Sequence, residues 1–228
     1  GAHLEDATED SAILVIGPED WPFPIPLAKD DSGWYFDTEA GIEEILDRRV
    51  GLNELYAIAA ARAYVDAQLE YAAEDSDGDG VGNFALRFLS SAGGRDGLYW
   101  PTAEGERESP LGPLFAEAVD EGYLTTAEDV TEGQGPRPFH GYFFKIPTGQ
   151  GAHAPGGARS YLRDGKLVGG FGLVAWPATY GNSGIMTFQV NQRGIVYESD
   201  MGEETAALAS AMTEFDPGEG WEPTVDVE

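Results

Sequence analysis

Asn53 to Gly80, NELYAIAAARAYVDAQLEYAAEDSDGDG, is one helical pattern that runs without a break into a knot of acids and glycines. Arg62, Asp66, Glu70 and Glu74 recur at every fourth position and share one narrow stripe, while Leu55, Ile58, Ala61, Val65, Leu69 and Ala72 line an apolar face. Ala57, Ala60, Tyr64, Ala67 and Tyr71 form a second apolar row at the same spacing. Apolar surface thus covers well over half the circumference, so the pattern predicts a central helix packed on more than one side rather than a surface helix.

The end of this helix is electrostatically awkward. Glu70, Glu74, Asp75, Asp77 and Asp79 crowd the negative pole of the helix dipole with no Lys or Arg to offset them. Asp75, Asp77, Asp79 and Gly80 spell D-x-D-x-D-G, the first half of an EF-hand loop, in which alternate carboxylates converge on a hard cation and the glycine makes the sharp turn. Val81 supplies a backbone carbonyl at the seventh position and Asn83 a side-chain oxygen at the ninth, but Leu86 stands where a bidentate Glu belongs. Two readings remain: a calcium site held by Asp75, Asp77, Asp79, Val81 and Asn83, or a solvated acidic turn that stops the helix.

Forty-one acids against thirteen bases leave a net charge of −28 on 228 residues. That balance argues against nucleic acid or an anionic membrane surface as partner. An apolar fraction of 42% is enough for a real core. The absence of cysteine removes disulfides, thiol nucleophiles and thiolate metal sites. With no run of eighteen apolar residues, no membrane insertion is expected. Gly1 reads as a cloning scar, and a leader is expected to have been removed.

Along the rest of the chain, Ala2 to Asp10 is acidic and expected to fray, and Ala12 to Gly17 is of strand length. Trp21 to Leu27, WPFPIPL, alternates prolines with apolar residues and suits an edge strand or polyproline segment. Trp34 to Phe36 is a strand, and Asp37 or Thr38 caps a helix expected to end at Gly51, with Asn53 capping the restart. Arg48 and Arg49 are expected to pair with nearby carboxylates. Gly93 to Arg107, GGRDGLYWPTAEGER, is a surface passage carrying Tyr99 and Trp100. A short helix is expected at Leu114–Val119 and an acidic loop from Leu124 to Pro138. From Phe139 the pattern turns to strands: Phe139–Ile146, Ser160–Val168 around the Asp164-Gly165 turn, Gly172–Trp176, Ile185–Asn191 and Ile195–Glu198. Glu203 to Met212 reads as a closing helix.

Several of these segments carry a resemblance. GPEDWPFPIPL at Gly17 to Leu27, WYFDTEAGIEEILDRRVGLNEL at Trp34 to Leu55, YVDAQLEYA at Tyr64 to Ala72, RDGLYWPT at Arg95 to Thr102 and FGLVAWPATYGNSGIMTFQVNQRGIVYESDMG at Phe171 to Gly202 closely resemble a bacterial family known only as a domain of unknown function, DUF2950. The likeness implies an exported protein of Gram-negative bacteria, periplasmic or secreted, with a leader and a further N-terminal segment in its relatives; it implies no activity. In layout, HGYFFKI at His140 to Ile146 and the run from Trp176 to Val196 also resemble the soluble part of type IV pilins and type II secretion pseudopilins, some of which hold calcium in a loop. This chain departs from them in lacking the hydrophobic N-terminal half-helix that anchors pilins.

No pattern discloses a reaction. His140 and His153 lack the spaced partners of a zinc site, and Ser183 in GNSGI lacks the glycine that a nucleophile elbow needs. Gly149 to Gly157 lacks the Lys-Ser/Thr of a phosphate loop. The expectation is therefore α+β: a long central helix on an antiparallel sheet (residues 53–228), pilin-like, with an N-terminal strand and short-helix extension (residues 1–52). Functionally it is expected to be an uncharacterised binding or structural module stabilised by calcium, with another envelope protein as possible partner and no catalytic residues. The alternative is a hydrolase using a carboxylate pair in a cleft beneath Gly93–Arg107.

Overall fold

Thr38–Ala73 form one uninterrupted helix, α1. Asp37 caps it, its Oδ1 accepting the Ala40 N–H at 3.1 Å. The break expected at Gly51 does not occur. A glycine costs a helix interior about 1 kcal/mol relative to alanine, which the flanking turns absorb here. Gly51 keeps right-handed helical geometry, unlike the positive-φ glycines elsewhere in the chain. Asn53 is not a cap either: its Nδ2 donates to the Ser183 carbonyl at 2.9 Å.

A computed structural model describes residues 1–75, 80, 82–103, 105–106, 108–112 and 138–225. The helix expected at Leu114–Val119 lies outside the described residues, as does all but the last residue of the Leu124–Pro138 loop. The chain divides into two compact units, Gly1–Leu52 and Asn53–Glu228, and α1 contributes residues to both.

The first unit holds β1 (Ala2–Glu5), β2 (Ser11–Ile16), β3 (Trp21–Pro22), β4 (Leu27–Asp30) and β5 (Gly33–Phe36). All pairings are antiparallel: β2 meets β1, β3 and β4, and β4 meets β5. The first half of the Ala2–Asp10 segment expected to fray is the strand β1, registered from Ala2↔Ile16 to Glu5↔Ile13; its backbone pairing holds it although every side chain is exposed. Proline enters the sheet once, at Pro22 in a two-residue strand, and Pro24 and Pro26 stay outside the ladders because they have no N–H to donate. Arg48 pairs with Glu44 one turn back and donates to the Pro22 carbonyl, each at 2.7 Å.

In the second unit, β6 (Tyr142–Lys145), β7 (Gly149–Gln150), β8 (Arg159–Ser160), β9 (Leu162–Arg163), β10 (Lys166–Leu167), β11 (Gly172–Pro177), β12 (Met186–Asn191) and β13 (Tyr197–Asp200) precede a 3-10 turn (Gly202–Glu204). The helix α2 (Thr205–Ala211), β14 (Glu214–Phe215) and β15 (Glu222–Pro223) follow. The main sheet runs β15-β13-β12-β11-β6, antiparallel throughout. A smaller sheet, β14-β7-β8, contains one parallel pair. The hairpin of β9 and β10 turns at Asp164 and Gly165, whose φ values of 52° and 81° are those of a type I′ turn. The fold is α+β, one long helix with several mostly antiparallel sheets, and strand dominates the second unit.

One core joins helix and sheet residues: Ala57, Ala61, Tyr64, Ala67 and Tyr71 of α1 with Tyr142, Leu173, Ala175, Phe188 and Val190. The buried row of the helix is therefore the one led by Ala57 and Tyr64. Leu55 and Leu69 of the other row are exposed, while its Ala61 and Val65 are buried. Periodicity identifies two rows but does not say which one the partner sheet covers. Among these apolar groups sits Gln68, fully buried, whose amide is satisfied by Ala85 N–H (2.8 Å), Ala85 carbonyl (2.8 Å) and the Tyr64 hydroxyl (2.9 Å). Tyr64 Oη in turn donates to the Gly172 carbonyl at 2.8 Å, and burial pushes its pKa far up.

Candidate functional site

Of the five residues expected to hold calcium, Asp75 and Asn83 lie within the described part, and Asp77, Asp79 and Val81 lie outside it. Asp75 follows the helix in the left-handed region, φ 47°, a conformation that Asp tolerates better than most residues. Its Oδ2 accepts the Gly80 N–H at 2.9 Å. Its Oδ1 is buried and meets no hydrogen-bond donor among the described residues. The last turn of α1 carries no basic residue. Asn83 is buried beside Phe84, whose N–H pairs with the Leu167 carbonyl at 2.8 Å. Among the described residues no group of three or more metal-ligating side chains converges.

A second place was only partly legible in the sequence. Residues 87–101 fold back on themselves: Leu98 N–H meets the Arg87 carbonyl at 3.2 Å, Tyr99 N–H the Phe88 carbonyl at 2.8 Å and Ser90 N–H the Tyr99 carbonyl at 2.9 Å. Gly97 is required at this crossing, since a Cβ there would lie 2.6 Å from the Leu89 carbonyl carbon. The Tyr71 hydroxyl ties the loop to α1 by donating to the Arg95 carbonyl at 2.9 Å. These bonds shape a cavity of about 610 Å³, walled by Leu89, Tyr99 and Trp100 and edged by Arg87, Arg95 and Glu106.

The charges around it are fixed by short contacts. Asp96 accepts the Ser91 N–H at 2.7 Å and the Ser91 hydroxyl at 2.8 Å on Oδ1, and its Oδ2 lies 3.3 Å from Arg87. Partial burial alone would raise the Asp96 pKa, but the two Ser91 hydrogen bonds and the Arg87 guanidinium outweigh it and hold the carboxyl below its usual value. The Arg95 guanidinium lies 5.4 Å from the Trp100 ring centroid and has no carboxylate within ion-pair distance among the described residues. Tyr99 and Trp100 stand out in the sequence, whereas the part of Arg87 and Arg95 emerges only from the fold. Two of thirteen basic residues flanking an aromatic pair were the available signal.

The remaining sequence candidates have structural partners. His140 stacks on Tyr56 with ring centroids 4.1 Å apart. His153 places Nδ1 3.0 Å from Asp216 Oδ2 and donates its backbone N–H to Oδ1 at 2.7 Å. The Ser183 hydroxyl accepts the Thr179 N–H at 3.0 Å inside a tight turn. The glycine-rich loop from Gly149 to Gly157 closes on Gln150, whose Nε2 donates to the carbonyls of Pro155 (3.1 Å) and Gly157 (2.7 Å).

Comparison with curated proteins returns no match, and comparison with solved structures returns none either. The family model described as "Protein of unknown function (DUF2950)" matches residues 1–224, nearly the whole chain, and the protein belongs to that family.

Proposed function

We propose that this protein is a binding or structural module that works outside the cytoplasm, in the periplasm or after secretion, and that calcium stabilises it through the turn from Asp75 to Asn83. Asp75 carries the reading. A buried carboxylate oxygen that meets no donor among the described residues, at the negative end of a helix whose last turn holds no base, is a charge in want of a cation. Asp77, Asp79, the Val81 carbonyl and Asn83 are the other ligands in this reading, because alternate oxygens in such a turn suit a hard cation.

Export is read from the sequence resemblance described above, and the cysteine-free composition is compatible with it. Another envelope protein as partner is supported by Trp21, Trp34, Tyr35 and Phe36, which the first unit leaves exposed. The core that α1 shares with the main sheet supports a pilin-like packing within the second unit. The carboxylate-pair hydrolase has less behind it, since Asp96, within the Gly93–Arg107 loop, has its pKa held below the ordinary carboxylate value and makes a poor proton donor near neutral pH.

The test is calorimetric melting in calcium and in EDTA at matched ionic strength. With calcium at roughly a hundred times its dissociation constant, the expected gain is about 2.7 kcal/mol, or some 5–10 °C. Asp77→Ala should remove the gain. Equal melting temperatures in calcium and EDTA would sink the reading, whereas a rise produced equally by monovalent salt would reduce it to charge screening.

A further inference from the structure

We propose that the cavity between Leu89 and Trp100 binds a small organic anion with a flat apolar body, anchored by Arg95. The site does not involve the acidic turn at Asp75 and stands whether or not calcium binds there.

The cavity is built rather than incidental. Backbone bonds of residues 87–99 cross-lace its wall, the Tyr71 hydroxyl pins it from the helix, and Leu98 and Gly97 behind it are buried. Its volume of about 610 Å³ falls in the range of small-molecule pockets, and such pockets combine an apolar lining with a few fixed polar groups. Leu89, Tyr99 and Trp100 supply the apolar lining. A flat ligand body gains most from such walls, because offset stacking on aromatic faces adds to area burial.

Charge selects the class of ligand. In a chain of net charge −28, a cation would be drawn to almost any surface, yet this rim carries two of the thirteen basic side chains. Arg87 is engaged by Asp96 at 3.3 Å and mainly holds the loop. Arg95 is different: it lies over Trp100 at 5.4 Å and meets no carboxylate among the described residues. Stacking on the indole limits the side chain's freedom, so its planar set of donors is preorganised for a carboxylate. Glu106, the one acid on the rim among the described residues, is directed back into its own turn, where Oε2 accepts the Ala103 N–H at 3.4 Å. A bound carboxylate would thus find beside two aromatic rings one guanidinium that meets no carboxylate among the described residues, and a cation would meet two arginines.

The experiment titrates the whole protein, in EDTA, with 2-naphthoate and with its neutral isostere 2-naphthamide, followed by isothermal calorimetry. Naphthoate is expected to bind roughly tenfold or more tightly than naphthamide, the factor a charge-assisted hydrogen bond supplies. Arg95→Gln, at an exposed position, should melt as the wild type does and lose this preference, while Arg95→Lys should keep part of it. Equal affinity for both probes overturns the anion assignment. A preference that survives Arg95→Gln overturns the anchor. Failure of naphthoate to bind below about 10 mM, a free energy under roughly 3 kcal/mol, overturns the site itself.

Discussion

Glu198 of β13 and Glu222 of β15 stand directly opposite each other in an antiparallel pair, so two like charges share one face of the main sheet. Glu54 adds a third carboxylate nearby, fixed by the N–H groups of Ile185 (2.8 Å) and Met186 (3.0 Å). Partial burial, then repulsion from Glu54 and Glu222, raises the Glu198 pKa above its ordinary 4.5. Glu198 is therefore easier to protonate in the folded protein than in the unfolded chain. Its favourable contribution is complete below the unfolded value and disappears as pH rises through the folded one. Glu198→Gln is expected to raise the melting temperature at neutral pH by roughly 1–3 °C, and to change nothing at about pH 3. Melting curves across pH check this; an unchanged or lower value at neutral pH would refute it.

Asp216 has the opposite sign. Burial alone would raise its pKa, but the His153 side chain and backbone N–H win and hold it below 3.8. Its stabilising contribution is present above the unfolded value and is lost as pH falls through the folded one. Asp216→Asn should lower the melting temperature at neutral pH by about 1–3 °C, an exposed-pair magnitude, with the difference closing near pH 2. A constant offset at every pH would show that packing, not charge, is responsible.

Gly51 offers a simple gain. A Cβ at this position would meet nothing within 4 Å, and the residue is already helical. Gly51→Ala should stabilise the protein by about 1 kcal/mol in denaturant unfolding. Gly41 is the internal contrast, since a Cβ there would come within 2.8 Å of Ile25, and Gly41→Ala should give no such gain. Equal gains at both sites would contradict the local packing.

Gln68→Leu should be costly despite its hydrophobic character. It would strand the N–H and carbonyl of Ala85, both served by the buried amide. Leaving two such groups unmet costs roughly 2–5 kcal/mol, so the unfolding midpoint should fall sharply. Tyr64→Phe removes one hydroxyl from the same chain of bonds and should cost about 1–2 kcal/mol. A neutral Gln68→Leu would mean that water replaces the amide.

What the sequence made legible was local. The Asp164-Gly165 hairpin and the strands at Gly172 and Met186 follow from turn chemistry and short apolar runs. The sequence predicts a helix break at Gly51 that does not occur, because a local cost of about 1 kcal/mol is small beside the packing of a long helix. The sequence predicts a frayed N-terminus where strand β1 forms, because β1 is held by backbone pairing, to which an acidic side-chain pattern is indifferent. The cavity was barely visible, since it depends on the Leu89–Tyr99 bridge and on Tyr71 reaching Arg95. Buried Gln68 and Gln150 were invisible for the same reason: a polar residue looks like surface until its distant partners are known.

Gln150 also bears on how the protein ages. Its side chain, buried in β7, donates from Nε2 to two carbonyls of the Gly149–Gly157 loop and accepts the Tyr161 hydroxyl on Oε1 at 3.1 Å. Deamidation would exchange that NH₂ for an oxygen and set a carboxylate against two carbonyl oxygens, with no donor to offer either. The loop's shape therefore depends on one amide nitrogen. Mass spectrometry of stored protein, combined with mild proteolysis, should find cleavage at Gly156 and Gly157 confined to the deamidated molecules.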